Sequence, residues 1–164
     1  MKKYLVVLLM LCLLTACGSE KPMETVQDVY TPQTQTPMHV SLTLPEDASV
    51  QTMTSSQGQL YVCDGFTVTV QTLLGGDLSR TVMDTTGYDL SRLTLMETEK
   101  DGITCYRTSW ATAGEGGDQA ARTLILDDGK FHYAITVMAP EKEAGDLADT
   151  WQAIFTSVNL STAP

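Results

Sequence analysis

The stretch RTLILDDGKFHYAITV, from Arg122 to Val137, decides the fold of this 164-residue chain. Its first part, Arg122 to Leu126, is rich in residues that favour strands. The second part alternates apolar with other residues, at Phe131, Tyr133, Ile135 and Val137. Between them, Asp127-Asp128-Gly129-Lys130 is a turn sequence. Two strand-like runs joined by a tight Asp-Gly turn predict an antiparallel hairpin.

The same pattern occurs twice upstream. Leu60 to Cys63 meets Asp64-Gly65, after which Phe66, Val68 and Val70 alternate with polar residues. Leu93 and Leu95 begin another predicted strand, Lys100-Asp101-Gly102 turns it, and the segment from Ile103 to Ala111 returns. Alternation at Val40, Leu42 and Leu44, ended by Pro45, predicts one more strand near the start of the domain.

Two helices are predicted among these strands. Asp77 can cap a short helix that runs to about Thr86, where Gly87 supplies a left-handed stop. Near the C-terminus, apolar residues recur with helical spacing at Leu147, Trp151, Ile154, Phe155 and Val158. We therefore predict an α+β domain over residues 38–164, with a single antiparallel sheet of about six to seven strands and helices covering one face.

The N-terminus predicts export. Met1-Lys2-Lys3 is basic, and Tyr4 to Leu14 is an apolar run too short to span a bilayer, which is typical of a signal peptide. The run ends in Leu14-Thr15-Ala16-Cys17, which resembles the lipobox of bacterial lipoproteins. The resemblance implies that residues 1–16 are removed and that Cys17 carries diacylglycerol and palmitate. An ordinary secretory leader cut elsewhere and an uncleaved anchor are the alternatives.

The segment after Cys17 is predicted to be a tether. Residues 17–37 contain Pro22, Pro32 and Pro37 among polar residues, with no apolar periodicity. The lipidated cysteine and this flexible segment would hold the domain at a membrane, on the extracytoplasmic side of the cell envelope.

The order of elements resembles a known fold. A hairpin, a mid-chain helix closing in Thr86-Gly87-Tyr88, two further hairpins and a terminal helix with Trp151, Phe155 and Ser157 are similar to the PsbP-type fold. A cystatin-like α+β sheet is the alternative. The PsbP resemblance covers about residues 38–160, brings no catalytic motif, and implies a module that acts by docking onto larger partners.

Composition argues against nucleic-acid binding. Ten Lys and Arg residues stand against twenty Asp and Glu residues, for a formal charge of −10. Removal of Lys2 and Lys3 with the leader leaves eight basic residues against twenty acidic ones, or −12. Such a surface repels phosphate backbones, so no nucleic-acid partner is expected.

Two cysteines remain in the predicted domain, Cys63 and Cys105. In an extracytoplasmic chain a disulfide between them is one interpretation, and two separate buried thiols are the other. The chain contains no C-x-x-C motif, so a redox function is not expected.

The sequence offers no catalytic or metal-binding motif. His39 borders the tether, and His132 falls at an outward position of its strand, where we expect a solvated side chain. Zinc-ligand spacings and the Gly-x-Ser-x-Gly motif of hydrolases are absent from the sequence. We therefore predict no enzyme activity, no catalytic residues, no metal and no cofactor.

The remaining candidate for a site is a glycine-rich loop. It runs through Gly114, Glu115, Gly116, Gly117 and Asp118, with Trp110 at its base. One interpretation is a flexible connection with Trp110 packed in the core, and the other is a contact loop with Trp110 as its anchor. The sequence thus predicts a non-enzymatic lipoprotein whose domain docks onto an envelope protein or an extracellular ligand. A small extracytoplasmic enzyme or a ligand-capture domain is the alternative.

Overall fold

The computed structural model describes residues 36–51, 58–114 and 116–162. They form nine strands and three helices. The strands are β1 (His39–Ser41), β2 (Ser49–Gln51), β3 (Gly58–Cys63), β4 (Phe66–Leu74), β5 (Met96–Lys100), β6 (Ile103–Gly114), β7 (Gly117–Asp127), β8 (Phe131–Pro140) and β9 (Asn159–Ser161). The helices are α1 (Leu78–Thr86), α2 (Glu141–Ala144) and α3 (Ala148–Ser157), and a 3-10 turn spans Leu90–Arg92.

Seven strands form one antiparallel sheet in the order β2-β3-β4-β8-β7-β6-β5. The three predicted hairpins are present as β3–β4, β5–β6 and β7–β8. The stretch that decides the fold lies at the centre, with β8 between β4 and β7. This confirms the predicted α+β class with a single sheet of about six to seven strands.

Helix α1 begins and ends where the sequence predicts. The Asp77 side chain accepts the backbone N–H of Arg80 at 3.0 Å, which caps the helix. Gly87 has φ 75°, and its N–H donates to the carbonyl of Met83 at 2.8 Å. The left-handed conformation ends the helix without the strain that a Cβ would add.

Helices cover both faces of the sheet, which corrects the expectation of one covered face. Trp151, Ile154 and Phe155 of α3 belong to the larger buried cluster, with residues of one sheet face such as Ile135. Val82 of α1 belongs to a smaller cluster with the opposite face. The sheet contributes Ile125 and Ala134 to this smaller cluster. Because neighbours along a strand point to opposite faces, the central strands pack on both sides.

His132 is consequently buried, and the prediction of a solvated histidine was wrong. The residue is 1% exposed and lies on the face that α1 covers. The alternation correctly predicts that His132 points away from Phe131 and Tyr133, which lie on the face that α3 covers. The error was to treat that second face as open to water.

Four short strands at the periphery differ from the prediction. Leu93 and Leu95 pack against the smaller cluster, and the strand begins only at Met96. The first predicted strand is limited to His39–Ser41, and it pairs with β9 in a separate two-stranded sheet. Neither β2 nor β9 was predicted, since three residues are too few to show a period.

Candidate functional site

The β6–β7 hairpin extends past the end of strand β8, and the glycine-rich loop lies at its tip. Its ladder runs from the Thr104–Asp127 pair to the Gly114–Gly117 pair. Pairing of β7 with β8 stops at Gln119 and Pro140, so the last residues of the hairpin extend past β8. The described tip residues Ala113, Gly114, Gly116, Gly117 and Asp118 are all exposed, and Glu115 lies outside the described residues.

Glycine is needed at this tip for steric reasons. A Cβ on Gly114 would lie 3.0 Å from the carbonyl oxygen of Gly117 and 3.2 Å from Cγ of Gln119. Gly117 has φ 113°, a region that L side chains rarely adopt. Pairing of the two strands therefore continues up to Gly114 and Gly117.

Trp110 fixes the base of the hairpin. It is half-buried, and its Nε1 donates to Oγ1 of Thr123 at 3.0 Å. Its ring meets Tyr88 edge to face, with centroids 6.2 Å apart, and the Tyr88 hydroxyl donates to the carbonyl of Ala111 at 2.6 Å. Trp110 is thus held by Thr123 and Tyr88, and Tyr88 is itself bonded to the next residue of β6. A contact role for the loop stays a prediction, and Trp110 would serve it by positioning the tip.

A cleft of about 560 Å³ lies beside this tip. Gly114, Gly116 and Gln119 line it on the hairpin side, and Phe66 and Met138 lie among the residues on the sheet side. Glu143 of α2 places a carboxylate at the rim. The cleft thus has several apolar lining residues next to the exposed end of the β6–β7 hairpin.

Cys63 and Cys105 are separate buried thiols. The alternative interpretation, a disulfide between them, was wrong. Strands β3 and β6 are separated by β4, β8 and β7, which puts roughly 19 Å between them across the sheet. The ladders place Cys63 level with Ala111, six residues along β6 from Cys105. A disulfide needs Cα atoms within about 7 Å. Burial raises the pKa of both thiols.

A half-buried acid, a buried imidazole and a buried hydroxyl form one chain of contacts. Nδ1 of His132 lies 2.6 Å from Oγ1 of Thr81, and its Nε2 lies 3.3 Å from Oδ2 of Asp127. The order resembles that of a hydrolase relay. The Thr81 hydroxyl, however, is enclosed between α1 and the sheet, where a substrate cannot reach it. Its role in this structure is to join α1 to β7 and β8.

A second polar network joins the N-terminal segment to the sheet. The hydroxyl of Tyr133 donates to Oδ2 of Asp128 and accepts the backbone N–H of Met38. Burial first, and then the Asp128 carboxylate, raises the pKa of Tyr133 to about 12, while the Met38 N–H acts in the opposite direction. Burial alone would raise the pKa of Asp128, but hydrogen bonds from Phe131, Lys130 and Tyr133 outweigh it and the net shift is downward.

Metal-binding groups do not gather in residues 36–51, 58–114 and 116–162. Within these ranges no three His, Cys, Asp or Glu side chains come close enough together to hold a metal ion. In the same described ranges, no helix has the length and apolar character needed to cross a membrane. Cys17, the leader and most of the predicted tether lie outside the described residues.

Comparison with known proteins identifies the fold. No protein-family model matches the chain, and no curated protein matches it in sequence. Solved structures do match. The chain is similar to the cyanobacterial PsbP protein CyanoP of Synechocystis sp. PCC 6803, with a TM-score of 0.54 and 9% identity over 86% of this chain and 100% of that one. The fold is PsbP-like, as the resemblance in the sequence implied.

Two other structures share this fold. LpqN, described as involved in cell envelope biogenesis of Mycobacterium tuberculosis, has a TM-score of 0.50 and 13% identity over 79% of this chain and 87% of that one. A protein from Bacteroides thetaiotaomicron has a TM-score of 0.53 and 11% identity over 75% of this chain. The present chain spans 45% of the length of that Bacteroides protein.

Proposed function

We propose that this chain is a lipoprotein anchored through Cys17 on the extracytoplasmic side of a membrane, whose PsbP-like domain is a non-enzymatic docking module. The observation that carries the docking role is the β6–β7 hairpin, which projects past β8 as an exposed tip beside an apolar cleft. Trp110, which packs against Tyr88 and donates to Thr123, holds the base of this hairpin in place, so less ordering entropy is lost there when a partner binds.

Relatives in fold support a binding role. LpqN is described as involved in cell envelope biogenesis, and a yeast protein with this fold is described as the Ran-binding protein Mog1p, with a TM-score of 0.50 and 14% identity over 75% of this chain and 90% of that one. We infer an envelope protein as the partner here, since the leader and lipobox direct the domain to that compartment. An extracellular ligand is the second candidate, which the cleft beside the tip would favour.

The anchor is tested by Cys17→Ser. If the thiolate of Cys17 is the site of lipidation, the variant accumulates as an unprocessed precursor and incorporates no labelled palmitate. Cys12→Ser is the matched control, because Cys12 lies within the apolar run and should be discarded with it. Normal palmitate labelling of the Cys17 variant would exclude this anchor.

The docking role is tested by photo-crosslinking in intact cells. A photo-reactive amino acid replaces Asp118 at the tip or, as a control, Met83, which is exposed on α1. We expect a discrete adduct with one envelope protein from position 118 and none from position 83. Equal adducts from both positions, or no adduct from the tip, would contradict docking through this surface.

A further inference from the structure

A cleft between α3 and strands β5 to β7 contains two arginines. Its volume is about 430 Å³, within the range of small-molecule sites. Arg107 of β6 and Arg122 of β7 line it from the sheet, and Gln152 and Phe155 line it from α3. The cleft is distinct from the one beside the glycine-rich tip, with which it shares no lining residue.

The sheet register places the two arginines on one face. Arg107 pairs with Leu124, and Arg122 precedes Leu124 by two positions on the same strand. Diagonal neighbours of this kind have side chains on the same face, about 7–8 Å apart. Leu124 belongs to the buried cluster under α3, so both arginines emerge on the side that α3 covers.

Neither arginine has an anionic partner in the described part of the chain. Three ion pairs form among the described residues, Arg80 with Asp84, His132 with Asp127, and Lys142 with Glu143, and none of them includes Arg107 or Arg122. This is unexpected in a chain with twice as many acidic as basic residues. Two like charges in a partly desolvated cleft repel each other, and a bound anion would offset that cost.

One donor of the Arg107 guanidinium, its Nε, is not used in a hydrogen bond among the described residues. This Nε is buried and has no hydrogen-bond partner among residues 36–51, 58–114 and 116–162. Buried donors in folded proteins nearly always have a partner, so this orphaned N–H is a cost that a shift of the guanidinium toward an anion in the cleft would remove.

Arg122 is held in place by an aromatic ring of α3. Its Cζ lies 5.5 Å from the centroid of the Trp151 ring, which is buried in the core. Stacking on an aromatic face fixes the guanidinium plane and lowers the entropy lost on binding. The side chain is thus oriented by α3 before any ligand arrives.

We propose that this cleft binds a small organic anion, with its carboxylate or phosphate held by Arg107 and Arg122 and its apolar body against Phe155 and Met96. The guanidinium fork matches both oxyanions in geometry. Met96 is 62% exposed at the mouth of the cleft, and Phe155 supplies an apolar surface within it. The proposal is independent of the anchor on Cys17 and of docking through the β6–β7 tip.

Binding is tested on the full chain, solubilised in a phosphate-free uncharged detergent at constant ionic strength. Benzoate and phenyl phosphate are the two probes, and titration calorimetry gives their dissociation constants. We expect saturable binding of at least one, and the preferred probe identifies the oxyanion. Arg107→Gln and Arg122→Gln should each weaken that binding about tenfold or more, as expected for a lost charge-assisted hydrogen bond.

Arg92→Gln is the matched control. Arg92 also lies over an aromatic ring, that of Tyr88 at 5.4 Å, but it does not line the cleft. It should leave the affinity unchanged. If Arg107→Gln fails to fold, Arg107→Lys keeps the charge and removes the fork, and it should still weaken binding. Failure of both probes to bind, or equal losses in the Arg92 and Arg107 variants, would overturn the proposal.

Discussion

The hydroxyl of Tyr133 donates a hydrogen bond to Oδ2 of Asp128 at 2.8 Å, and the same hydroxyl accepts the backbone N–H of Met38 at 2.8 Å. One fully buried side chain thus joins the turn of the central hairpin to the segment that leads into the domain. Asp128 also accepts the N–H groups of Lys130 and Phe131, which closes its own turn. The turn and the domain's first residues are therefore stabilised together.

Tyr133→Phe should lower the free energy of unfolding by about 1–3 kcal/mol, because it leaves the Met38 N–H and one Asp128 oxygen without their shared partner. Urea denaturation followed by circular dichroism measures the change. Tyr61→Phe is the control, since the Tyr61 hydroxyl bonds to Gln59 in an exposed position and should contribute little. Equal stability losses in the two variants would contradict a special role for the buried network.

The same network predicts two pH dependences of opposite sign. The pKa of Asp128 is lowered in the folded state, so its contribution is present above 3.8, the ordinary value, and is lost as pH falls through the lower folded value. The pKa of Tyr133 is raised from 10.0 to about 12, so its contribution is present below 10.0 and is lost as pH rises towards 12. Asp128→Asn should flatten the acid limb, and Tyr133→Phe the alkaline limb. Unchanged limbs in unfolding measured against pH would refute these assignments.

His132→Ala should destabilise the domain by about 2–4 kcal/mol, because it leaves a cavity under α1 and removes the partner of the buried Thr81 hydroxyl. Chemical denaturation at pH 7 measures the loss. His39→Ala is the control, because His39 is exposed and should change stability by less than about 0.5 kcal/mol. A small effect at His132 would show that the second sheet face does not carry the packing described above.

Trp151→Ala should cost about 3–5 kcal/mol, since it empties the centre of the larger cluster and withdraws the ring beneath Arg122. Gln152→Ala, on the exposed side of the same helix, should change the free energy of unfolding by less than about 0.5 kcal/mol. Thermal unfolding of the two variants distinguishes them. Similar midpoints would contradict the assignment of α3 to the core.

Two thiols should react with a thiol-specific reagent once the protein is unfolded without reductant, if Cys12 and Cys17 are first replaced by serine. In the folded protein the reaction should be slow, because Cys63 and Cys105 are buried and burial raises the pKa of each. Mass spectrometry counts the modified sites. A mass two hydrogens below that of the reduced form would restore the disulfide.

Local signals predicted the hairpins and α1 because turn and cap chemistry acts over a few residues. Asp64-Gly65 and Asp77 each identify their element without any long-range information. The two amphipathic helices were also predicted, but their placement on opposite faces was not, which is why His132 was misassigned. A sheet covered by helices on both faces has apolar residues at successive positions of its central strands. Ile125 and Ala134, which lie between residues of the larger cluster, were the available signal for a second buried face.

Relations that depend on strand order could not be predicted. The distance between Cys63 and Cys105 follows from three intervening strands, and the pairing of arginines across β6 and β7 follows from register. The pairing of β1 with β9 joins the two ends of the domain's sequence, with His39 opposite Ser161. No short-range pattern encodes such contacts, which depend on closing long loops.

That last pairing also governs the order of assembly. Strand β1 precedes the seven-stranded sheet in the chain, and β9, with which it pairs, follows that sheet. A nascent chain can form the central hairpins as they emerge, but β1 lacks its partner until β9 has been synthesised after them. Pairing of β1 with β9 is therefore expected to be among the last steps in the folding of this domain.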